Sequence, residues 1–183
     1  MNILPIETER LRLRHFAEQD LEAFLAYRND PDVARYQGWE ATSRQDGLNF
    51  IAEMSAMQPG TPDQWFQFAL ALKSNNALIG DIGLRVDENG KQGMVGYTLA
   101  SEYQRQGYMT EAILVVLGMA FEQFGLHRII ALVDPNNTPS WKLLERLGFR
   151  REGHFIEHWY TKGRWVDDYQ YALLGREWTP KVK

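Results

Sequence analysis

The sequence predicts an α+β fold in which a single mixed β-sheet is covered by helices. Three observations lead there. The hydrophobic period switches repeatedly between 2 and about 3.6, giving the order β-α-α-β-β-β-α-β-α-β-β. Three apolar runs between Trp65 and Ala100 are separated only by turn sequences, as in an antiparallel meander. The segment that follows is apolar on nearly every side, so it must be a helix covered all round. With 183 residues, 44% of them hydrophobic, the chain suffices for one domain with a sizeable core. No repeat or Gly/Ser linker divides it, and one domain over 1–183 is expected.

Each element follows from its residues. Glu7 to His15 reads as one strand, since Leu11 and Leu13 alternate with Arg10, Arg12 and Arg14. Leu21, Phe24, Leu25 and Arg28 fall at helical spacing, and Asn29-Asp30-Pro31 stops that helix. Ser43, with Asp46 three residues on, opens a second helix whose inward face carries Phe50, Ile51, Met54 and Met57. Trp65 to Leu72, Ala77 to Val86 and Gly93 to Ala100 are the meander strands. Gly107 to Phe124 is the buried helix, with Gly125 as its C-terminal cap. His127 to Val133 is a buried strand. Thr138-Pro139 reads as an N-cap with proline in the first turn, and Leu143, Leu144 and Leu147 face inward before Gly148. Glu152 to Leu174 forms a hairpin about Thr161-Lys162-Gly163-Arg164. This amounts to about seven strands and four helices.

Composition excludes several classes. There is no cysteine, hence no disulfide framework, thiolate metal site or Cys nucleophile. A net charge of -4 leaves no footprint for phosphate backbones, so direct nucleic-acid binding is not expected. No run reaches the roughly 18 apolar residues that span a bilayer, and Met1 to Arg14 lacks a signal peptide's apolar centre. A soluble, cytoplasmic protein is expected, as monomer or homodimer, without metal.

Two segments carry chemistry. In Gln104-Arg105-Gln106-Gly107-Tyr108-Met109-Thr110 a strand passes through a glycine loop directly into a helix, aiming unpaired N–H groups into a crevice suited to phosphate. It is neither a Walker loop nor Gly-x-Gly-x-x-Gly. The bland alternative is an ordinary turn that needs Gly107 for its backbone. The second segment is Asn137-Thr138-Pro139-Ser140, where Asn137 and Ser140 either cap the helix or face the crevice.

Together these segments strongly resemble the GCN5-related N-acetyltransferase (GNAT) superfamily. Gln104 to Met109 is similar to its acetyl-CoA loop, Arg/Gln-x-x-Gly-x-Gly/Ala, and Asn137 to Phe149 to its Asn-x-x-Ala/Ser…Gly-Phe helix. Glu7 to Arg14 and Gly163 to Asp167 resemble the first strand and last hairpin of the RimJ/RimL-like, ribosomal-protein N-terminal acetyltransferase branch. The resemblance implies the acyl-CoA N-acyltransferase fold, with a seven-stranded sheet splayed between strands four and five. It implies acetyl-CoA as co-substrate, and direct transfer to a protein α-amino group or small amine in a ternary complex. The amides of Gln104, Arg105, Gln106, Gly107, Tyr108, Met109 and Thr110 would hold the pyrophosphate. Met94 to Ala100 would bulge and part from His127 to Val133, with the pantetheine arm pairing in the gap. Amides near Tyr97, Thr98 and Leu99 would polarise the thioester carbonyl, and Asn137 would bind the arm.

Two positions depart from that pattern. Met109 stands where relatives carry Gly or Ala. Leu144 stands where many place a Tyr that protonates the leaving thiolate, so Ser140, one turn earlier, is the expected acid. Leu144 also leaves open a non-catalytic acyl-CoA-binding module. Glu157 is the expected base; strand alternation turns His158 to the opposite face, so at most one of the two reaches the cleft, and either could instead be a solvated strand charge. Glu111 is read as complementing the helix dipole. Trp159, Tyr160, Trp165, Tyr169 and Tyr171 are expected in core or acceptor pocket rather than stacking on bases, and Trp39 as pocket wall or core. The net negative charge allows an acidic acceptor face.

Overall fold

Alternation in the first strand is interrupted by a turn. The computed structural model describes residues 3–179. In it, Ile6–Glu7 (β1) and Leu11–Arg14 (β2) pair with each other antiparallel. Thr8 makes the turn: its amide donates to the Leu11 carbonyl oxygen at 2.9 Å, and its hydroxyl oxygen accepts from the Leu11 amide at 2.8 Å. The single strand expected over Glu7 to His15 is therefore a hairpin, and among the described residues the sheet has eight strands rather than the expected seven.

The helices begin as their caps dictate. After Leu21–Arg28 (α1), Asp30 both ends one helix and starts another: its carboxylate accepts from the Asp32 amide at 2.9 Å and opens Pro31–Ala34 (α2). That short helix was hidden inside a stop signal, and it brings the α-helices above the expected four. Arg44–Ala56 (α3) starts on the Ser43–Asp46 capping box, in which Ser43 Oγ accepts from the Asp46 amide at 3.1 Å.

Trp65–Leu72 (β3), Leu78–Val86 (β4) and Gln92–Leu99 (β5) form the meander. The pairing of β4 with β5 runs unshifted from Val86↔Gly93 to Gly80↔Leu99, so β5 does not bulge. The irregularity lies in β3, between Leu70 and Ala71. Gly80 permits the tight register, because a Cβ there would lie 2.3 Å from the Thr98 carbonyl oxygen. Tyr108–Gly118 (α4) runs into a π-helical turn over Met119–Gln123, ended by Gly125 at φ 66°. Arg128–Val133 (β6), Thr138–Arg146 (α5), Arg150–Thr161 (β7) and Arg164–Leu174 (β8) complete the chain. Lys162 and Gly163, both at positive φ (50° and 76°), make the last hairpin's turn. The strand order is β1-β2-β3-β4-β5-β6-β8-β7.

Two cores flank the sheet. One joins α4 and α5 to it through Ile113, Leu117, Leu144 and Leu147 against Phe66, Phe68 and Leu70. The other seats α1 and α3 through Phe24 and Ile51, with Ala69, which alternates with Phe68 to the opposite face. Beside this second core lies a buried polar group. Tyr27 donates to Asp81 Oδ2 at 2.6 Å, and Arg28 Nη2 lies 3.6 Å from the same oxygen. The Arg28 guanidinium stacks on Trp39 at 3.7 Å from the ring centroid, and the Trp39 indole N–H donates to the Arg28 carbonyl oxygen at 3.2 Å. Burial raises the Asp81 carboxyl above its usual range, although Arg28 and the Tyr27 hydroxyl oppose it. Among the described residues, no helix is long and apolar enough to cross a membrane.

Candidate active site

The sheet opens between β5 and β6. These parallel strands pair only at Gln92↔Arg128, Gly93↔Ile129 and Met94↔Ile130, then part, and a cleft of about 980 Å³ occupies the opening. Alternation fixes which peptide groups face it. The Ala100 amide donates to Ile79, on the β4 side, at 2.9 Å. The carbonyls of Tyr97 and Leu99 instead accept from the side-chain amides of Gln37 and Gln104, at 3.3 and 3.0 Å. Tyr97 and Leu99 thus turn their peptide groups towards the opening and Thr98 towards β4.

At one end of the cleft the chain forms a nest. Arg105 and Gly107 both take left-handed backbone, at φ 61° and 84°, immediately before α4. In this conformation the amides converge on one side. Among the described residues, the amides from Arg105 to Thr110 donate no backbone or side-chain hydrogen bond; the first helical bond is Glu111 N–H to Gly107 O, at 3.1 Å. Gln104, Arg105, Gly107, Tyr108, Met109 and Thr110 line the cleft, as do Lys142 and Arg146 of α5. Gln106 turns its side chain back to the Glu102 carbonyl at 2.7 Å and does not line the cleft. The Met109 side chain is buried in the core, which leaves its amide in the nest.

Glu111 does more than complement the dipole. It accepts from the Thr8 hydroxyl, from the Arg10 amide at 2.9 Å and from Arg10 Nε at 2.8 Å, clamping the β1–β2 turn onto the first turn of α4. Burial pushes its carboxyl up, but these donors together outweigh burial and hold it below the usual value of 4.5. A carboxyl depressed by folding stabilises fully above its unfolded pKa and loses that contribution as pH falls through the folded one. The melting temperature should therefore fall more steeply below about pH 4.5 in the parent chain than in Glu111→Gln. Parallel curves between pH 7 and pH 3 would show that the clamp adds nothing.

Asn137, Ser140 and Tyr97 meet across the middle of the cleft. The helix starts one residue earlier than Thr138 as N-cap implied: Asn137 holds the cap position, and its side chain does not cap its own helix. Tyr97 reaches from β5 to place its hydroxyl 2.8 Å from Ser140 Oγ and 3.2 Å from the Ser140 carbonyl oxygen. Burial pushes the Tyr97 phenol up to about 12, against the Ser140 hydrogen bond, so it stays protonated at neutral pH. Leu144 is fully buried beneath.

The other end lies between α2 with its following loop (Asp32, Arg35, Tyr36, Gln37, Gly38) and the β7–β8 hairpin (Trp159, Lys162, Arg164, Val166, Asp168). The acidic face that the net charge allowed is not there: Asp32 and Asp168 are interspersed with Arg35, Lys162 and Arg164. Glu157, the expected base, is exposed and outside the cleft wall. At φ 46° it sits in an irregular stretch where the β7–β8 register shifts between Phe155 and Trp159, so simple alternation does not apply. Asp168 lines the cleft instead, its Oδ2 3.1 Å from His158 Nδ1. Trp39 stacks on Arg28 rather than walling the cleft. Tyr171 is core, Trp159 is cleft wall, and Tyr160 and Trp165 pack edge-on in solvent at 5.4 Å.

A sheet split beside a nest of unpaired amides at a helix N-terminus offers room for an extended arm and donors suited to an anion, the features expected of an acyl-CoA-dependent transferase. The family model for the acetyltransferase (GNAT) domain matches residues 10–150, and the chain belongs to the GNAT N-acetyltransferases. It is 31% identical to the uncharacterized N-acetyltransferase YnaD of Bacillus subtilis, over 94% of this chain and 98% of that protein. A GNAT-family acetyltransferase structure from Bacillus anthracis superimposes with a TM-score of 0.86 at 32% identity, covering 95% of this chain and all (100%) of that one. A ribosomal-protein-S5-alanine acetyltransferase structure from Vibrio fischeri does so with a TM-score of 0.81 at 26% identity, covering 97% and 100%. The chain is an acetyl-CoA-dependent N-acetyltransferase that transfers the acetyl group to a primary amine.

Proposed function

We propose that the acceptor is the α-amino group of a polypeptide, acetylated in the cytoplasm. The observation that carries this reading is Asp168 at the acceptor end, beside His158, as the carboxylate placed to accept a proton. An α-amino group has a pKa of about 7.7 to 8.0, so roughly a tenth is already neutral at pH 7, whereas a lysine at about 10.4 is almost wholly charged. A weak base suffices for the first. The similarity to an acetyltransferase named for a ribosomal-protein alanine supports the same class.

In this reading the amides of Arg105 to Thr110 hold the pyrophosphate, with Arg105, Lys142 and Arg146 adding charge. The pantetheine arm lies along the open edge of β5. There the N–H groups of Tyr97 and Leu99 pair with it and polarise the thioester carbonyl, and Asn137 binds its amide. The amine enters between α2 and the β7–β8 hairpin and attacks the carbonyl carbon. Asp168 takes its proton, the C–S bond breaks, and Ser140 donates a hydrogen bond to the departing sulfur in place of the acid that Leu144 cannot supply. Proximity in the ternary complex supplies much of the rate.

Thiol release should follow addition of peptides with free α-amino groups and be far slower with Nα-blocked lysine peptides. Equal or reversed rates would overturn the assignment of the acceptor. Asp168→Asn should lower kcat by about 100-fold with acetyl-CoA affinity unchanged; an unaltered kcat would remove Asp168 as base.

A further inference from the structure

We propose that Tyr97 is the positioning residue for Ser140, a hydrogen-bond switch that frees the serine proton for the leaving sulfur. The inference rests on the reading of Ser140 as the group that meets the thiolate.

Tyr97 and Ser140 have two self-consistent hydrogen arrangements. In the first, Ser140 Oγ donates to the Tyr97 hydroxyl across 2.8 Å, and the phenol donates onward to the Ser140 carbonyl oxygen at 3.2 Å. Every proton is then used within the pair, and none points into the cleft. In the second, the phenol turns its proton from the carbonyl to Ser140 Oγ. The serine, now an acceptor from Tyr97, has its own O–H free to donate elsewhere. The heavy atoms need not move, because both acceptors already lie within reach of one phenol oxygen.

A thiolate forming in the cleft favours the second arrangement, since a hydrogen bond to a charged acceptor is stronger than one to a neutral oxygen. The step balances without ionising either hydroxyl. The N–C bond forms, the C–S bond breaks, the ammonium proton leaves through the base to water, and the thiolate acquires a proton from water while Ser140 holds it. Tyr97 keeps its proton throughout, as befits a buried phenol. The structure thus answers the absence of a tyrosine at position 144: a tyrosine hydroxyl arrives from β5, on the opposite wall of the cleft, and acts through the serine.

The test is a double-mutant cycle of Tyr97→Phe and Ser140→Ala, reading kcat, acetyl-CoA affinity and melting temperature. Phenylalanine keeps the ring and removes only the oxygen. Tyr97→Phe should lower kcat by at least tenfold with acetyl-CoA affinity and melting temperature within twofold and two degrees of the parent, and Ser140→Ala should lower kcat by a similar factor. The double variant should be no slower than the slower single variant, as expected of groups acting in series. Multiplicative losses, or parent-like turnover in Tyr97→Phe while Ser140→Ala is slow, would overturn the switch alone. Parent-like turnover in Ser140→Ala would overturn the underlying assignment of Ser140 itself.

Discussion

Gly107→Val raises the dissociation constant for acetyl-CoA at least tenfold while leaving the fold assembled. Gly107 sits at φ 84° and ψ -2°, a left-handed conformation that a β-branched residue enters only with strain of about 1–3 kcal/mol. Steric room is not the issue, since an added Cβ would meet Arg10 Nη2 at 3.4 Å, ordinary contact with a flexible side chain. The strain is relieved by rotating the backbone towards negative φ. That rotation swings the Gly107 and Tyr108 amides out of the nest formed with Arg105. Titration of acetyl-CoA by calorimetry, with circular dichroism to confirm that α4 persists, measures it; parent-like affinity would refute the placement of the pyrophosphate. Gly107→Ala should fall between the two, because its strain is smaller.

Asp81→Ala destabilises the protein by about 3–5 kcal/mol, the cost of leaving a buried cation without its counter-charge. Arg28 and Asp81 are each less than a tenth exposed, and Arg28 Nε already has no hydrogen-bond partner among the described residues. Removing the carboxylate strands both the guanidinium and the Tyr27 hydroxyl. Denaturant unfolding reads the loss directly. The control is the triple variant Tyr27→Phe, Arg28→Met, Asp81→Leu, which replaces the whole group by apolar side chains of similar size. It should recover most of the stability, because the penalty lies in the unpaired charge and not in the lost attraction. A triple variant as unstable as Asp81→Ala would show that the loss is one of packing. Function is touched through Trp39: stacked on Arg28, it anchors the loop whose preceding residues, Tyr36 to Gly38, form the acceptor wall.

What the sequence disclosed follows the range over which each signal acts. The nest loop was legible because a glycine before a helix start is written within four residues. The meander was legible because turn residues sit between apolar runs, and the α3 capping box because Ser43 and Asp46 are three apart. The β1–β2 hairpin was not, since Thr8 makes its turn without glycine or proline and leaves the Leu/Arg alternation of β2 intact. The short helix α2 was concealed because Asp30-Pro31 stops one helix in the same way that it starts the next. In the site, alternation failed at Glu157: positive φ and the register shift in β7 uncouple sequence parity from face, so Glu157 lies outside the cleft wall, while Asp168 on the paired strand lines it. Tyr97 was named for its backbone alone, because its hydroxyl finds Ser140 only through tertiary contact, across 43 positions of chain. Glu111 showed its dipole role locally, while its grip on Arg10 spans 101 positions and could not be read from the helix.

The parting of β5 from β6 has a consequence for the molecule as a whole. Most sheets keep their raw edges at the periphery, where charge, bulges or covering loops blunt them. Here β5 carries such an edge into the interior, since its backbone is laddered to β4 along its length and to β6 only at the start. With the pantetheine arm paired on that edge as proposed, the co-substrate would also be a structural part, a removable strand inserted and withdrawn once per catalytic cycle. In that reading, binding of acetyl-CoA adds to the cohesion between the two halves of the sheet, so the supply of acetyl-CoA would raise the stability of the fold.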